Sequence, residues 1–255
     1  MNLGGKANNL YRLRERFCVP EFVTLSRSDL LRLCSNPLLL DDMIKDLKSD
    51  IFAVRSSANC EDSAESSYAG MFDTVLGVTK SELLHSILKV SHSYNNIRVK
   101  GYESYKGIDR VSCMNVIVQE FVNSRISGVC VTKISEVKNS FMLESCYGLG
   151  EALVSGKIHP DFCEIDRNCI EKISYKINPQ KKKLVYCEKY GGVKWEKVKE
   201  SEIYAKKLLS NEIASIYNIS MEIEDYFGYD SVDIEWCYDK KRLYILQARP
   251  WTAYR

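Results

Sequence analysis

The sequence has 255 residues, 45% of them hydrophobic and 11% aromatic, enough to bury a core in one large domain or two small lobes. Lys and Arg number 36 against 34 Asp and Glu, a formal net charge of +2, and this balance argues against bulk attraction to nucleic acid or membrane. No run approaches the roughly 20 apolar residues of a membrane span, the start lacks the apolar stretch of a signal peptide, and ten scattered cysteines without a C-x-x-C pair give a zinc site no support. The expected setting is cytoplasmic, with reduced thiols acting mostly as small buried apolar groups.

Taken in chain order, residues 7–16 carry Leu10 and Leu13 at helical spacing after a Gly4-Gly5-Lys6 turn. Residues 18–25 read as a turn and a short strand, and 27–48 as helix broken near Asn36-Pro37. Ile51-Phe52-Ala53-Val54 is an apolar run of strand length that ends in Arg55-Ser56-Ser57 and a polar loop, before a strand over 72–78. An amphipathic helix is expected over 80–105. Strand-like runs follow at 115–121, 127–132 and 141–146, then hairpin strands at 162–165, 169–177 and 183–187. A long helix over 201–227 would turn Ile203, Leu208, Ile213, Ile216 and Ile223 inward. Strands at 231–238 and 243–248 close the pattern, joined by an Asp239-Lys240-Lys241-Arg242 turn. Strands and helices mix without regular βαβ alternation, which favours an α+β fold of two lobes, expected at 1–115 and 116–255.

Four segments carry polar groups suited to chemistry. In Asp233-Ile234-Glu235-Trp236 the two acids point to one face of a strand, and Gln247 and Arg249 do the same on its partner. Carboxylate and amide oxygens suit Mg²⁺ and the Arg fork suits phosphate; alone, the same residues also describe a surface salt bridge. The run Val54-Arg55-Ser56-Ser57-Ala58, with Tyr68-Ala69-Gly70-Met71-Phe72-Asp73-Thr74 after it, presents donors and a small-residue loop able to close over phosphates. Gly4-Gly5-Lys6 opens a helix as an anion site can, without the spacing of a Walker A loop. Glu144 to Glu151, with Gly148 and Gly150, marks tight backbone after a strand and leads to His159-Pro160-Asp161.

Together and in order, the stretches GGKANNL, VPEFVTLS, VRSSANCEDSAESSYAGMFDTVLGV, VIVQEFV, SGVCVT, ESCYGLGEALVSGKIHPD and DIEW…LYILQARPWT resemble the nucleotide-binding domain of the phosphoenolpyruvate synthase, pyruvate phosphate dikinase and rifampicin phosphotransferase family. The resemblance implies an ATP-grasp fold, with Mg·ATP sandwiched between two lobes. It implies that Lys6 and Arg55 hold phosphates, that the loop from Gly70 to Thr74 covers them, and that Gln119 and the backbone of Glu120 and Val122 meet adenine. Glu144 joins this nucleotide-contacting set. Glu235 and Gln247 would bind Mg²⁺ with Asp233 beside them, and Arg249 would contact the transferring phosphate. The resemblance covers the nucleotide-binding domain and not the swivelling histidine domain or the acceptor domain of family members. Ala7 stands where a glycine is usual, and the stretch from Lys6 to Arg55 is short.

The implied activity is phosphoryl transfer from ATP to a histidine on a partner domain or to a small molecule, with no role for nucleic acid or membrane. His159 is the one candidate acceptor among His85, His92 and His159. The alternatives are an ATP-grasp ligase that activates a carboxylate and a non-catalytic ATP-binding regulatory module. The acceptor and the oligomeric state are not legible.

Overall fold

The computed structural model describes residues 3–58, 62–63, 66–67, 74–93, 114–134 and 138–251. Its elements are α1 (Gly5–Leu13), β1 (Phe22–Leu25), α2 (Arg27–Ser35), α3 (Leu39–Met43), β2 (Ile51–Ala58), the short β3 (Asp62–Ser63) and β4 (Ser66–Ser67), β5 (Thr74–Thr79), α4 (Leu83–His92) and β6 (Met114–Glu120). Then come β7 (Ile126–Val131), β8 (Ser140–Tyr147), α5 (Glu151–Val154), β9 (Asp161–Asp166), β10 (Cys169–Lys176), β11 (Lys182–Tyr186), β12 (Val193–Lys197), α6 (Ser210–Phe227), β13 (Val232–Tyr238) and β14 (Leu243–Pro250). The class is α+β, as expected. The chain forms two compact units, Met1–Tyr11, Pro20–Phe121 and Tyr186–Val193 in one, and Arg12–Val19, Val122–Val185 and Lys194–Arg255 in the other.

The first unit holds an antiparallel sheet in the order β1-β6-β2-β5. Leu25, Val54, Val116 and Val118 lie on its covered face with Leu30 and Leu33 of α2 and Leu83, Ile87 and Val90 of α4, all buried. The helices supply apolar residues at three- and four-residue steps, and the strands supply them at every second position, so one contiguous core forms. Ser26 starts α2 with a capping box: its hydroxyl accepts from the Asp29 N–H, and the Asp29 carboxylate accepts from the Ser26 N–H.

The second unit holds a six-stranded antiparallel sheet in the order β10-β9-β8-β7-β13-β14. The alternate positions Ile234, Cys130, Leu143 and Cys163 are fully buried on one face. Helix α6 covers that face: the Cys130 thiol meets the Ser220 hydroxyl at 3.2 Å, and the Phe141 and Tyr217 rings pack edge to face. Burial pushes the Cys130 thiol up to about 12 and the Cys163 thiol to about 11. The eight described cysteines are all free.

Two expectations need correction, one strand was not expected, and one helix is described only in part. Strand β2 does not end at Arg55-Ser56-Ser57 but runs through them to Ala58, all buried. The long helix begins at Ser210 rather than 201, because Lys207 is drawn into a buried ion pair with Asp161 and the Glu212 carboxylate caps the Leu209 N–H. Strand β12 has no counterpart in the sequence reading: Val193 and Trp195 alternate with Lys194 and Glu196, but the run is only five residues long and every one of them is exposed. Of the helix expected over 80–105, α4 accounts for Leu83–His92, and residues 94–113 lie outside the described set. Among the described residues, no helix is long and apolar enough to cross a membrane.

Candidate functional site

Each unit presents a second, polar sheet face opposite its helix-covered one. In the first unit, Thr24, Ile117, Arg55 and Thr74 stand in one cross-strand row, with Phe22, Gln119 and Ala53 in the next row on the same face. Arg55 is buried, and its Nη1 donates to Gln119 Oε1 at 3.4 Å across the diagonal of the pair. Gln119, also buried, donates from Nε2 to the Pro20 carbonyl at 3.4 Å.

The Gly-Gly-Lys turn is fastened to this same face. The Ser57 hydroxyl, two residues along β2 from Arg55, accepts from the Ala7 N–H at 3.1 Å and donates to the Leu3 carbonyl at 2.9 Å. Gly4 has φ +83°, and a Cβ there would lie 2.5 Å from the Ser57 hydroxyl, so only glycine fits. Half-buried Lys6 therefore sits on the first turn of α1 beside the row that carries Arg55 and Thr74. Gly70 lies outside the described residues. Glu120 ends β6; its N–H donates to the Glu21 carbonyl at 2.8 Å, and its carboxylate accepts from the Lys48 and Ser49 N–H groups.

In the second unit, the row opposite the helix-covered face reads Gln247, Glu235, Val129, Glu144 and Phe162 from strand to strand. The next row on that face reads Arg249, Asp233, Val131, Met142 and Glu164. Five of the expected site residues thus share one face of one sheet, with Glu144 a single strand beyond Glu235. Val122 follows β6 in the stretch that leads to β7.

A bulge creates the coincidence. From the turn, Tyr238 pairs with Leu243, Cys237 with Tyr244 and Trp236 with Ile245; the register then shifts, and Glu235 pairs with Gln247 and Asp233 with Arg249. Without the register shift that leaves Leu246 unpaired, continued pairing would set Gln247 opposite Ile234 and Arg249 opposite Val232, on the helix-covered face. Asp239 holds the turn, with one carboxylate oxygen accepting from the Lys241 and Arg242 N–H groups at 2.6 and 2.7 Å.

Arg249 donates from Nε and Nη2 to a single oxygen of Asp233, at 2.9 and 2.8 Å. Burial nevertheless holds the Asp233 carboxyl above the ordinary carboxylate range; Arg249 opposes the rise, and Glu235 adds to it. Burial alone raises Glu144. Burial thus disfavours the charged form of two carboxyls on this face, a penalty that a bound cation would oppose.

The sequence reading missed the supports around this face. Lys207 and Asp161 form a fully buried ion pair at 2.5 Å. Asp161 also accepts from the Tyr175 hydroxyl, the Asn178 N–H and the Lys207 N–H. Gln180 clamps the backbone of Tyr147, accepting from its N–H at 2.9 Å and donating to its carbonyl at 3.0 Å. Gly148 and Leu149 follow this clamp, and the Leu149 N–H donates to the Leu184 carbonyl. Asp161 of the His-Pro-Asp segment is thus a structural anchor, while His159 is exposed.

Residues 37–255 match the family model described as "Pyruvate phosphate dikinase, AMP/ATP-binding domain", and the chain belongs to that family. It is 34% identical over 205 residues to the probable phosphoenolpyruvate synthase of Methanocaldococcus jannaschii, covering 79% of this chain and 17% of that protein. It is 34% identical over 206 residues to the rifampicin phosphotransferase of Bacillus subtilis, covering 79% of this chain and 23% of that protein. The chain thus spans about a fifth of the length of these relatives. Among solved structures, the VanG D-Ala:D-Ser ligase of Enterococcus faecalis matches 97% of this chain and 52% of its own, at 14% identity and a TM-score of 0.46.

Proposed function

We propose that this chain binds Mg·ATP with an ATP-grasp fold and serves as the nucleotide-binding portion of an ATP-dependent phosphotransferase. The observation that carries the reading is the polar face of the second unit, where Gln247, Glu235 and Glu144 share one row beside the Arg249–Asp233 pair. The family match adds the nucleotide, and the names of the relatives add phosphoryl transfer as the class of chemistry.

The donor set fits magnesium. Glu235 and Gln247 are cross-strand neighbours with hard oxygen donors, and Asp233 adds a carboxylate in the next row. Among the described residues, no three His, Cys, Asp or Glu side chains gather into a metal centre. The ion would be held by one or two carboxylates together with phosphates and water. Held there, the ion would supply positive charge that neutralises the phosphates during transfer.

The other steps belong to the chain's own groups. Lys6 and Arg55 hold phosphate oxygens, with Thr74 next to Arg55. Arg249, a planar fork oriented by Asp233, binds the phosphoryl group in transfer and neutralises charge as the bond to it loosens. The Glu120 N–H is already engaged, so Glu120 offers adenine its carbonyl, with the backbone of Val122 completing the edge. Gln119, tied to Pro20 and Arg55, couples the adenine end to the phosphate end through the first unit's sheet. The acceptor is a histidine on a partner domain or a small molecule, and the setting is cytoplasmic.

Phosphorus NMR of Mg·ATP with the protein and a pool of cell metabolites tests the reading. AMP with phosphate is expected for transfer to a histidine, and ADP with a new resonance for a small-molecule acceptor. Glu235→Gln is expected to lower turnover at least about a hundredfold, the scale of losing a group that stabilises the transition state, with an unchanged melting profile. Turnover equal to wild type in Glu235→Gln and in Arg249→Lys would sink the metal and phosphate assignments.

A further inference from the structure

The stretch from Lys181 to Lys199 plays no part in the nucleotide reading, yet it holds the densest charge of the described sequence. It carries seven lysines against two glutamates and no arginine, an excess of five positive charges on a chain whose net charge is +2. Its strands β11 and β12 form a two-stranded sheet. An isolated two-stranded ribbon is marginal in water. The outer side of β11 is occupied, with Gly148 bridging Leu184 and the Leu149 N–H donating to the Leu184 carbonyl. Among the described residues, no strand lies along the outer edge of β12. All five residues of β12 are exposed, including Val193 at 39% and Trp195 at 38%.

We propose that the outer edge of β12 receives an extended, acidic polypeptide segment as a third strand. Backbone groups along the edge supply the ladder, as in other cases of strand addition. The lysines select the partner. Lysine on an edge strand ordinarily discourages pairing with a neutral or basic strand; opposite Asp or Glu the same lysine becomes a favourable cross-strand partner. Lys194 and Lys197 of β12, with Lys199 just after it, are all exposed and placed for that role. Lys183 already faces Glu196 at 3.8 Å, a pairing of the kind an incoming strand would extend.

A nucleic-acid strand fits less well. Single-stranded nucleic acid is held by open aromatic faces and by arginine forks. The ring of Trp195 is covered by the Lys182 ammonium at 4.4 Å, and the stretch has no arginine.

The test uses poly-L-glutamate and an oligothymidylate of matched charge as probes, with binding followed by anisotropy at low salt and β12 amide exchange followed by mass spectrometry. Polyglutamate is expected to bind and to slow exchange of the amides of residues 193–197. The double variant Lys194→Glu/Lys197→Glu is expected to weaken binding about tenfold or more, and Lys45→Glu/Lys48→Glu, the same charge change on the first unit, less than about twofold. The proposal is overturned if neither probe binds or if the control variant loses as much as the β12 variant, which would mean bulk charge. It is equally overturned if oligothymidylate binds at least as tightly through the same lysines, or if polyglutamate binds without protecting the β12 amides.

Discussion

Two acid–base pairs lie on opposite faces of the same six-stranded sheet, and they are built for different ends. Under α6, Asp161 and Lys207 are both fully buried, and every contact is internal: Asp161 takes four hydrogen bonds, and the Lys207 ammonium donates a further one to the Asn178 carbonyl. On the other face, the side chains of Arg249 and Asp233 keep 26% and 12% of their exposure, and both N–H donors of Arg249 converge on one Asp233 oxygen. The first pair is a saturated anchor. The second leaves its acid with a carboxyl that burial still raises. The fully buried, internally satisfied pair holds the fold, and the pair that stays partly exposed is the one to which the proposed function assigns a ligand.

That contrast can be broken most forcefully at the anchor. Asp161→Ala or Lys207→Met is expected to cost about 3–5 kcal/mol in urea denaturation, because either leaves a buried charge without its partner. The paired change Asp161→Leu/Lys207→Met should recover part of the loss. A cost below about 1 kcal/mol for both single variants would show that the anchor is not the structural member of the comparison.

Next in size is Gly128, which lies between the two faces on β7. A Cβ there would meet the Glu144 carbonyl at 1.9 Å and the Trp236 ring at 2.3 Å. Gly128→Ala is expected to destabilise by about 1–3 kcal/mol, read from a shift in the urea midpoint at constant slope. Because β8 must move to admit the methyl group, the variant should also weaken nucleotide binding.

The smallest effect sharpens the account of the open face. Glu144, raised by burial, holds its proton more tightly folded than unfolded, so its contribution to stability falls as pH rises through the carboxylate range. Glu164, on the same face, is lowered chiefly by a hydrogen bond from Lys138, so its contribution is present above the ordinary glutamate range and is lost as pH falls. Glu144→Gln should flatten the loss of stability above pH 4, and Glu164→Gln the loss below it. Melting temperatures measured between pH 3 and 7 would separate the two, and identical slopes in both variants would contradict the assignment.

Much of this was legible in the sequence, for reasons that differ by region. Asp233-Ile234-Glu235 needs only the two-residue period of a strand, and the core helices show their apolar steps openly. The face shared by Gln247 and Arg249 was expected correctly, yet strict pairing from the Asp239 turn would have denied it; the extra residue at Leu246 reconciles the two. Strand β12 was missed because its alternation, Val193 and Trp195 against Lys194 and Glu196, spans too few residues to stand out among lysines. Lys207 was invisible because its partner is 46 residues away and nothing local marks either one as buried. The start of α6 was misplaced for the same reason, since the apolar spacing of Ile203 and Leu208 continues the helical pattern while the ion pair holds the backbone elsewhere.

The residue inserted at Leu246 has one more consequence, which concerns insertions and deletions. In its regularly paired part the strand reads as a parity code: with pairing set from the turn, adding or removing one residue between the turn and Ile245 sends every following side chain to the opposite side, whereas a change of two restores it. The hairpin tip can therefore vary in steps of two without disturbing Gln247 and Arg249. Deletion of Leu246 itself is the exception: Gln247 would then follow Ile245 directly, the bulge would vanish, and regular pairing would still set Gln247 opposite Glu235 and Arg249 opposite Asp233.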